Sequence, residues 1–401
     1  MRIHLKNKTK VALVLSGGGI KAAAFHIGVC LALKEKGFRF EGGSKDEVAR
    51  NLARSDGKSI RLYVGSSAGS FICSILASGY TLEALINAFE VGSGNKPYFQ
   101  DFGNNPLKPI KYKDIFSINS LGLIRSIPLS LMKKSLVQGG IENLLKERFT
   151  MNGFFTTKRI EKYLREYALP YNNFDKLGVE LFVVGTHLDH AKKAIFSKFK
   201  EDSESKNVAY YNGATISDAV AASISLPPLF APYPIKTEDG KIQHFFDGEI
   251  RDTLSTHVAA DNGADLVISS YSVQPYNHTD KVGSLNNFGI PAILNQALYQ
   301  VIQQKIDRQI RYQSDIKAIY QAIDGYFKNA NLSDEHREKV LEIIRTRVKY
   351  RPAVDYIYIH PRSDDYEMFF ADHFSLNPKI LEQLVKMGFK SAINTLRQYD
   401  F

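Results

Sequence analysis

The stretch VALVLSGGGIKAAAFHIGV, residues 11–29, decides how the rest of the chain is read. A short apolar run from Val11 passes through Ser16 into three consecutive glycines, and a segment of small residues comes next. An apolar run this short, closed by glycine, reads as a buried strand, and the small-residue segment reads as a helix. Backbone N–H groups at such a strand–turn–helix junction converge and favour an anion. That anion is either the phosphate of a nucleotide or an oxyanion formed during a reaction.

Along the rest of the chain, short β-rich runs alternate with helical patterns. Candidate strands are VALVL from Val11, RLYV from Arg61, VELFVVG from Val179, HFFD from His244, DLVISSYS from Asp265 and YIYIHP from Tyr356. Several are continuously apolar, as expected for strands covered on both faces of a parallel sheet. The fold class expected is therefore α/β: three α/β/α layers around a mostly parallel central sheet. Residues 62–82, LYVGSSAGSFICSILASGYTL, carry no charge and are long enough to cross a bilayer, but five serines and three glycines suit a strand, a sharp turn and a buried helix better.

Two regions break this rhythm. Residues 92–155 start with a Gly/Asn/Pro-rich loop and continue into SINSLGLIRSIPLSLMKKSLV, with Lys133 and Lys134 near one end. It reads as a cap packed on the core or as an interfacial segment meeting lipid around Leu121–Leu136. Residues 290–350 are helical: Ile302, Ile306 and Ile310 recur at four-residue spacing among Gln, Lys and Arg, a one-faced amphipathic helix. A second helix is expected to start near Asn331–Glu335. These helices pack on the main body or on a second copy of the chain, so a homodimer is one expectation.

The 401 residues suffice for a substantial core, in one large domain or two smaller ones. A net charge of +10 favours anionic surfaces, membrane headgroups or nucleic acid, without choosing between them. The two cysteines, Cys30 and Cys73, sit in apolar stretches and read as buried thiols. Neither is spaced for a metal site, and no oxygen-rich loop for calcium is evident, so no metal or other cofactor is expected. The basic start MRIHLKNKTK is followed by the first strand itself, which argues against a cleaved signal peptide. The expected location is cytoplasmic or peripheral to a membrane, with export lacking a cleaved signal as the alternative.

The chemistry centres on Gly65-Ser66-Ser67-Ala68-Gly69, a G-x-S-x-G between a strand and a helix. That context is what a nucleophile elbow requires: the turn lifts Ser67 to a helix N-terminus, and Gly65 and Gly69 allow close approach of strand and helix. A serine nucleophile also needs a base and an oxyanion hole. Gly18, Gly19 and Ile20 are the candidate N–H donors. The competing dinucleotide reading rests on Gly17–Ala22, which fits G-x-G-x-x-G/A. It lacks a clear acidic residue at the end of a second strand, since FEGGSKDEVAR around residues 40–50 reads more as loop than strand. Asp247-Gly248 closes the apolar run HFFD and supplies a carboxylate. Rival bases are His257, His360 and His373, none in a recognisable triad context; His26 and His187 read as structural.

Taken in order, SGGGIKA, GSSAGS, ASISLPPLFAPY and DGE resemble the patatin-like phospholipase family, and ADHFSLNPKILEQLVKMGFKSAINTL is similar to the closing helix of many bacterial members. The resemblance covers roughly residues 8–275 as a catalytic domain, cap-like segment included. It leaves 276–401 as a helical extension with a late strand and a C-terminal helix on the same body. It implies a serine–aspartate dyad, with Ser67 as nucleophile and Asp247 as base. It also implies an oxyanion loop of Gly17, Gly18, Gly19 and Ile20, with Lys21 at its basic position and Gly65, Gly69 and Gly248 in support. Two positions depart from the family pattern. Ala22 stands where glycine is usual, and Glu249 follows Asp-Gly, where Gly or Ala is usual. A carboxylate there either raises the Asp247 pKa or faces solvent.

The function implied is hydrolysis of lipid acyl esters, of phospholipase A or lysophospholipase type, through an acyl-enzyme. The partners expected are an acyl-lipid substrate and an anionic membrane surface, with no nucleic acid. The alternatives are a Ser-His-Asp esterase on small soluble esters and a catalytically silent lipid-binding protein.

Overall fold

The computed structural model describes residues 3–5, 8–53, 58–91, 107–119, 152–199, 207–237, 240–330, 333–348 and 350–401. The apolar stretch Leu121–Leu136 and most of the expected cap lie outside the described residues.

The apolar runs become one ten-stranded sheet. Its strands are β1 (Val11–Leu15), β2 (Phe38–Phe40), β3 (Lys58–Ser66), β4 (Glu180–His187), β5 (Lys193–Phe196), β6 (Val208–Tyr211), β7 (Tyr233–Lys236), β8 (Ile242–Asp247), β9 (Leu266–Ser270) and β10 (Asp355–Ile359). The hydrogen-bonded path is β7-β8-β4-β3-β1-β9-β10, with β8 and β3 end to end along one edge of β4, β2 beside the start of β3, β5 on the other edge of β4 and β6 on β5. The five strands β10, β9, β1, β3 and β4 run parallel, while β8, β7 and β5 join antiparallel.

Both faces of the parallel part are buried, which explains why its strands read as unbroken apolar runs. Along β1, Val11, Leu13 and Leu15 enter one core while Ala12 and Val14 enter the other. The first core is closed by α1 (Gly19–Glu35), α2 (Ala68–Ala77), α3 (Ile216–Ile224) and the C-terminal helix; the second is closed in part by the short helix Thr256–Asp261. The fold is a three-layer α/β/α sandwich around a mostly parallel sheet.

Both helical outliers are present. α4 (Gly289–Asn329) buries Ile302 and Ile306 in a third cluster with Tyr271, Tyr276, Tyr299 and Phe369, and Ile310 packs against it. A further helix spans Asp334–Val348. The C-terminal α5 (Pro378–Leu396) lies against α1, where two glycines make the crossing close. A Cβ on Gly28 would stand 2.0 Å from Val385 O, and one on Gly388 would stand 2.0 Å from Phe25 O.

The reading of residues 40–50 as loop is corrected. Phe38–Phe40 is a strand, and Lys45–Ala53 is a helix entered through a reciprocal Ser44/Glu47 cap, with Ser44 N–H to Glu47 Oε2 at 2.7 Å and Glu47 N–H to Ser44 Oγ at 3.3 Å. Three residues of strand are too short to show a period, and their partner in β3 is some twenty residues away. An acidic residue, Glu41, does follow this strand. The register places Phe40 beside Ile60, which pairs with Val11 at the start of β1. Glu41 thus sits at the opposite end of β1 from the glycine turn and is engaged by Ser59 Oγ at 3.1 Å. It does not complete a dinucleotide site.

Candidate active site

Sheet register brings the site together. β3 runs along β4 until Ser66 lies opposite Val184. β8 approaches along the same edge of β4 from the other direction and ends with Asp247 opposite Gly185. Val184 and Gly185 are consecutive, so the two strands meet end to end, and Ser67 and Asp247 emerge at one point. The Ser67 side chain comes close enough to the Asp247 carboxyl to draw its pKa down.

Ser67 sits on a strained turn at φ 50° and ψ −122°, a region non-glycine residues rarely enter. Such a residue costs about 1–3 kcal/mol unless its surroundings hold it. Here they do. Ser67 N–H donates to Ser223 Oγ at 2.8 Å, and Ser223 Oγ donates to Val184 O at 2.6 Å. Ser67 O accepts from Ser70 Oγ at 2.6 Å. Gly69 N–H donates to Ser16 O at 3.1 Å, and a Cβ on Gly69 would fall 2.1 Å from Leu15 O. The elbow is therefore pressed directly onto the end of β1, where the glycine turn begins.

Asp247 is 1% exposed. Burial raises its pKa from 3.8 to about 6, opposed by the nearby Ser67 side chain and by the hydrogen bond from Glu249 N–H at 2.9 Å. Its own N–H donates to Ser225 O at 3.1 Å, and its carbonyl accepts from Thr186 Oγ1 at 3.0 Å. At neutral pH the group is mostly ionised, close enough to its pKa to take a proton and return it.

The glycine turn faces the same point. Gly17, expected within the oxyanion loop, has its N–H committed to Glu249 Oε1 at 2.7 Å, and Lys21 N–H is directed to His373 O at 3.3 Å. Between them, the N–H groups of Gly18, Gly19 and Ile20 have no acceptor among the described residues. They open α1, whose dipole adds to the positive field. Gly18 adopts φ 130°, a conformation that glycine alone enters freely. Ala22 lies in the first turn of α1 with no positive φ, so alanine fits there without strain.

Lys21 turns away from this point. Its ammonium is buried against Tyr299 Oη at 2.8 Å and Met368 O at 2.9 Å, and burial lowers its pKa to about 7. It ties the glycine turn to the helical extension. A Cβ on Gly248 would lie 2.3 Å from Val184 O, and one on Gly65 would lie 2.4 Å from Ser70 Cα, so both glycines are required by close packing. Glu249, whose orientation its sequence context leaves open, is buried rather than solvent-facing at 8% exposure. Burial and Asp247 push its carboxyl well above the usual range, whereas the rise at Asp247 comes from its own burial.

The histidines are engaged elsewhere. His257 Nε2 lies 2.7 Å from Lys193 Nζ and beside Asp252; His360 stacks on Tyr271; His373 Nε2 meets Tyr299 Oη at 2.7 Å. His26 spans Ser270 Oγ at 2.9 Å and Ser16 O at 3.0 Å, fully buried beneath the glycine turn. His187 accepts from the Asp189 and His190 N–H groups.

Ser67, Gly19 and Ile20 line a cavity of about 610 Å³, including the part open to solvent. Its remaining walls are almost wholly apolar, among them Ala23, Phe71, Phe89, Ile110, Ile115, Ile160, Ile224, Phe230 and Phe374; among the described lining residues Asp114 is the one carboxylate. Phe116 backs this wall, stacked on Phe230 with ring centroids 5.8 Å apart. Ser223, Ser225 and the cavity residues are not readable from the sequence. The first two lie within ASISLPPLFAPY, where nothing local signals that the Ser223 hydroxyl takes Ser67 N–H or that the Ser225 carbonyl takes Asp247 N–H.

Residues 13–260 match the family model for patatin-like phospholipase, and the chain belongs to that family. A Bacillus subtilis (strain 168) protein described as uncharacterized protein YqhO is 34% identical over 103 residues, which are 26% of this chain and 28% of that one. The match therefore spans little more than a quarter of that relative's length. The crystal structure of VipD from Legionella pneumophila is similar over 98% of this chain and 67% of that chain, at 16% identity and a TM-score of 0.37. Among the described residues no helix is long and apolar enough to cross a membrane.

Proposed function

We propose that the chain hydrolyses acyl esters of lipids, as a phospholipase A or lysophospholipase, with Ser67 as nucleophile and Asp247 as base. The observation that supports this reading is the end-to-end meeting of β3 and β8, which brings the Ser67 side chain beside the buried Asp247 carboxyl, next to a turn with three N–H groups that have no acceptor among the described residues. Ser67 Oγ attacks the ester carbonyl carbon as its proton passes to Asp247. The carbonyl oxygen becomes an oxyanion facing the Gly18, Gly19 and Ile20 N–H groups, a contribution worth several kcal/mol at such sites. The C–O bond to the alcohol then breaks, Asp247 returns its proton to the leaving oxygen, and an acyl-Ser67 ester remains. Water gives a proton to Asp247 and attacks that ester. Collapse releases the carboxylic acid and restores the Ser67 hydroxyl.

The apolar cavity supports an acyl chain as the bound group, and the +10 net charge supports docking on an anionic bilayer. The oxyanion turn supplies the electrostatic stabilisation for which some lipases use calcium, so chelators are expected to leave the rate unchanged. The test is labelling of Ser67 by a fluorophosphonate together with ester hydrolysis by the wild type, Ser67→Ala and Asp247→Asn. Loss of activity in both folded variants is expected. Full activity in Asp247→Asn, with loss in a histidine variant, would establish a Ser-His-Asp esterase instead.

A further inference from the structure

Glu249 has no counterpart in the general scheme, yet it is buried at the centre of the site. The turn Gly248–Ile250 follows β8 directly and carries Asp247 and Glu249 two residues apart. Glu249 N–H donates to Asp247 Oδ1 at 2.9 Å, and the Glu249 side chain reaches across to accept Gly17 N–H at 2.7 Å. The contact is close. A Cβ on Gly17 would stand 2.6 Å from both Glu249 Cγ and Ser67 Cβ, so the Gly17 backbone is clasped between the two side chains. The two ends of the turn are held by backbone, Gly69 N–H on Ser16 O at 3.1 Å and Lys21 N–H on His373 O at 3.3 Å, and Ser272 Oγ reaches Gly17 O at 3.3 Å, whereas the Gly17 N–H itself is taken by Glu249.

We propose that Glu249 is a positioning residue that latches the glycine turn to the turn bearing Asp247, fixing the height at which Gly18, Gly19 and Ile20 present their N–H groups to Ser67. This rests on the Ser67/Asp247 reading above. The latch functions as a neutral carboxyl. It faces Asp247, Asp252 and the Ser66 hydroxyl, and burial with these two acidic neighbours pushes its carboxyl well above the usual range, toward the protonated form. Asp252 is in turn paired with Lys193 and His257. A neutral latch accepts Gly17 N–H through one oxygen and keeps a second negative charge away from the developing oxyanion.

The experiment compares Glu249→Leu, which removes the acceptor at similar volume, with Glu249→Gln, which keeps a neutral acceptor oxygen. Steady-state hydrolysis of a defined phospholipid in mixed micelles is measured alongside hydrogen exchange at the peptide containing Gly17. Glu249→Leu is expected to lower kcat at least tenfold with KM within about twofold, and to speed exchange at Gly17. Glu249→Gln is expected to recover most of that rate and to restore slow exchange. Wild-type kcat in Glu249→Leu overturns the proposal. A tenfold or greater loss in folded Glu249→Gln also overturns it, whether or not Glu249→Leu folds, because a neutral acceptor would then be insufficient. Ser67→Ala runs in parallel: if it retains wild-type activity, the dyad reading itself fails. If it is inactive while Glu249→Leu is fully active, only the latch fails.

Discussion

Asp247→Asn should inactivate the protein and make it more stable. The side chain is enclosed, and its pKa stands at about 6 against an ordinary 3.8. The folded state therefore holds the Asp247 proton more tightly than the unfolded chain does. The stability this confers is fully present below pH 3.8 and is lost as pH rises through 6. At pH 7.5 the folded protein carries a buried anion at a cost of about 3 kcal/mol, from roughly two pKa units of difference. Asp247→Asn keeps the shape, accepts Glu249 N–H through its amide oxygen and donates to Ser67 Oγ, without the charge. The expected gain is about 3 kcal/mol at pH 7.5, shrinking to about 1 kcal/mol at pH 4.5. In a chain of this length that is about 3–4 °C in Tm at the higher pH. Thermal and urea unfolding of both proteins across this pH range, with hydrolysis measured on the same samples, provides the assay. A variant less stable than wild type at pH 7.5, or a gain that does not change with pH, would refute the reasoning.

The remaining expectations concern rate and substrate. If Asp247 is the base, only its ionised form is active, and kcat/KM should fall about tenfold from pH 7 to pH 5; a profile flat across that range would remove Asp247 from the role. The apolar cavity should reward longer acyl chains by about 0.8 kcal/mol per methylene, or about fourfold in kcat/KM, until the cavity is filled. A series of ester chain lengths checks this, and a preference for acetyl esters would contradict it. Ser223→Ala leaves Ser67 N–H and Val184 O buried without their partner, which should cost about 1–3 kcal/mol of stability. Relaxation of the elbow should also lower kcat more than it changes KM, as urea unfolding and steady-state kinetics on one preparation would show.

Much of the fold is legible in the sequence where a local rule applies. Strands buried on both faces announce themselves as apolar runs, so β1, β3, β4 and β9 stand where those runs lie, and a G-x-S-x-G between strand and helix has few other readings. The short strands β2, β5, β6 and β7 escape such rules, being three or four residues long and too short to show a period. Gly28 and Gly388 look ordinary until α1 and α5 are brought into contact. Glu249 shows the same limit at the site. Whether a carboxyl beside Asp247 faces water or the Gly17 N–H depends on where the first and eighth strands come together, and no window around residue 249 contains that information.

Cleavage of lipid esters by Ser67, activated by Asp247, is the reaction we propose. Mass spectrometry of products from vesicles of defined mixed phospholipids tests it most directly, comparing wild type, Ser67→Ala and Asp247→Asn. Free fatty acid and the matching lysolipid should accumulate with the wild type alone, which also identifies the ester cut. Fatty acid released by Ser67→Ala at the wild-type rate would contradict the account.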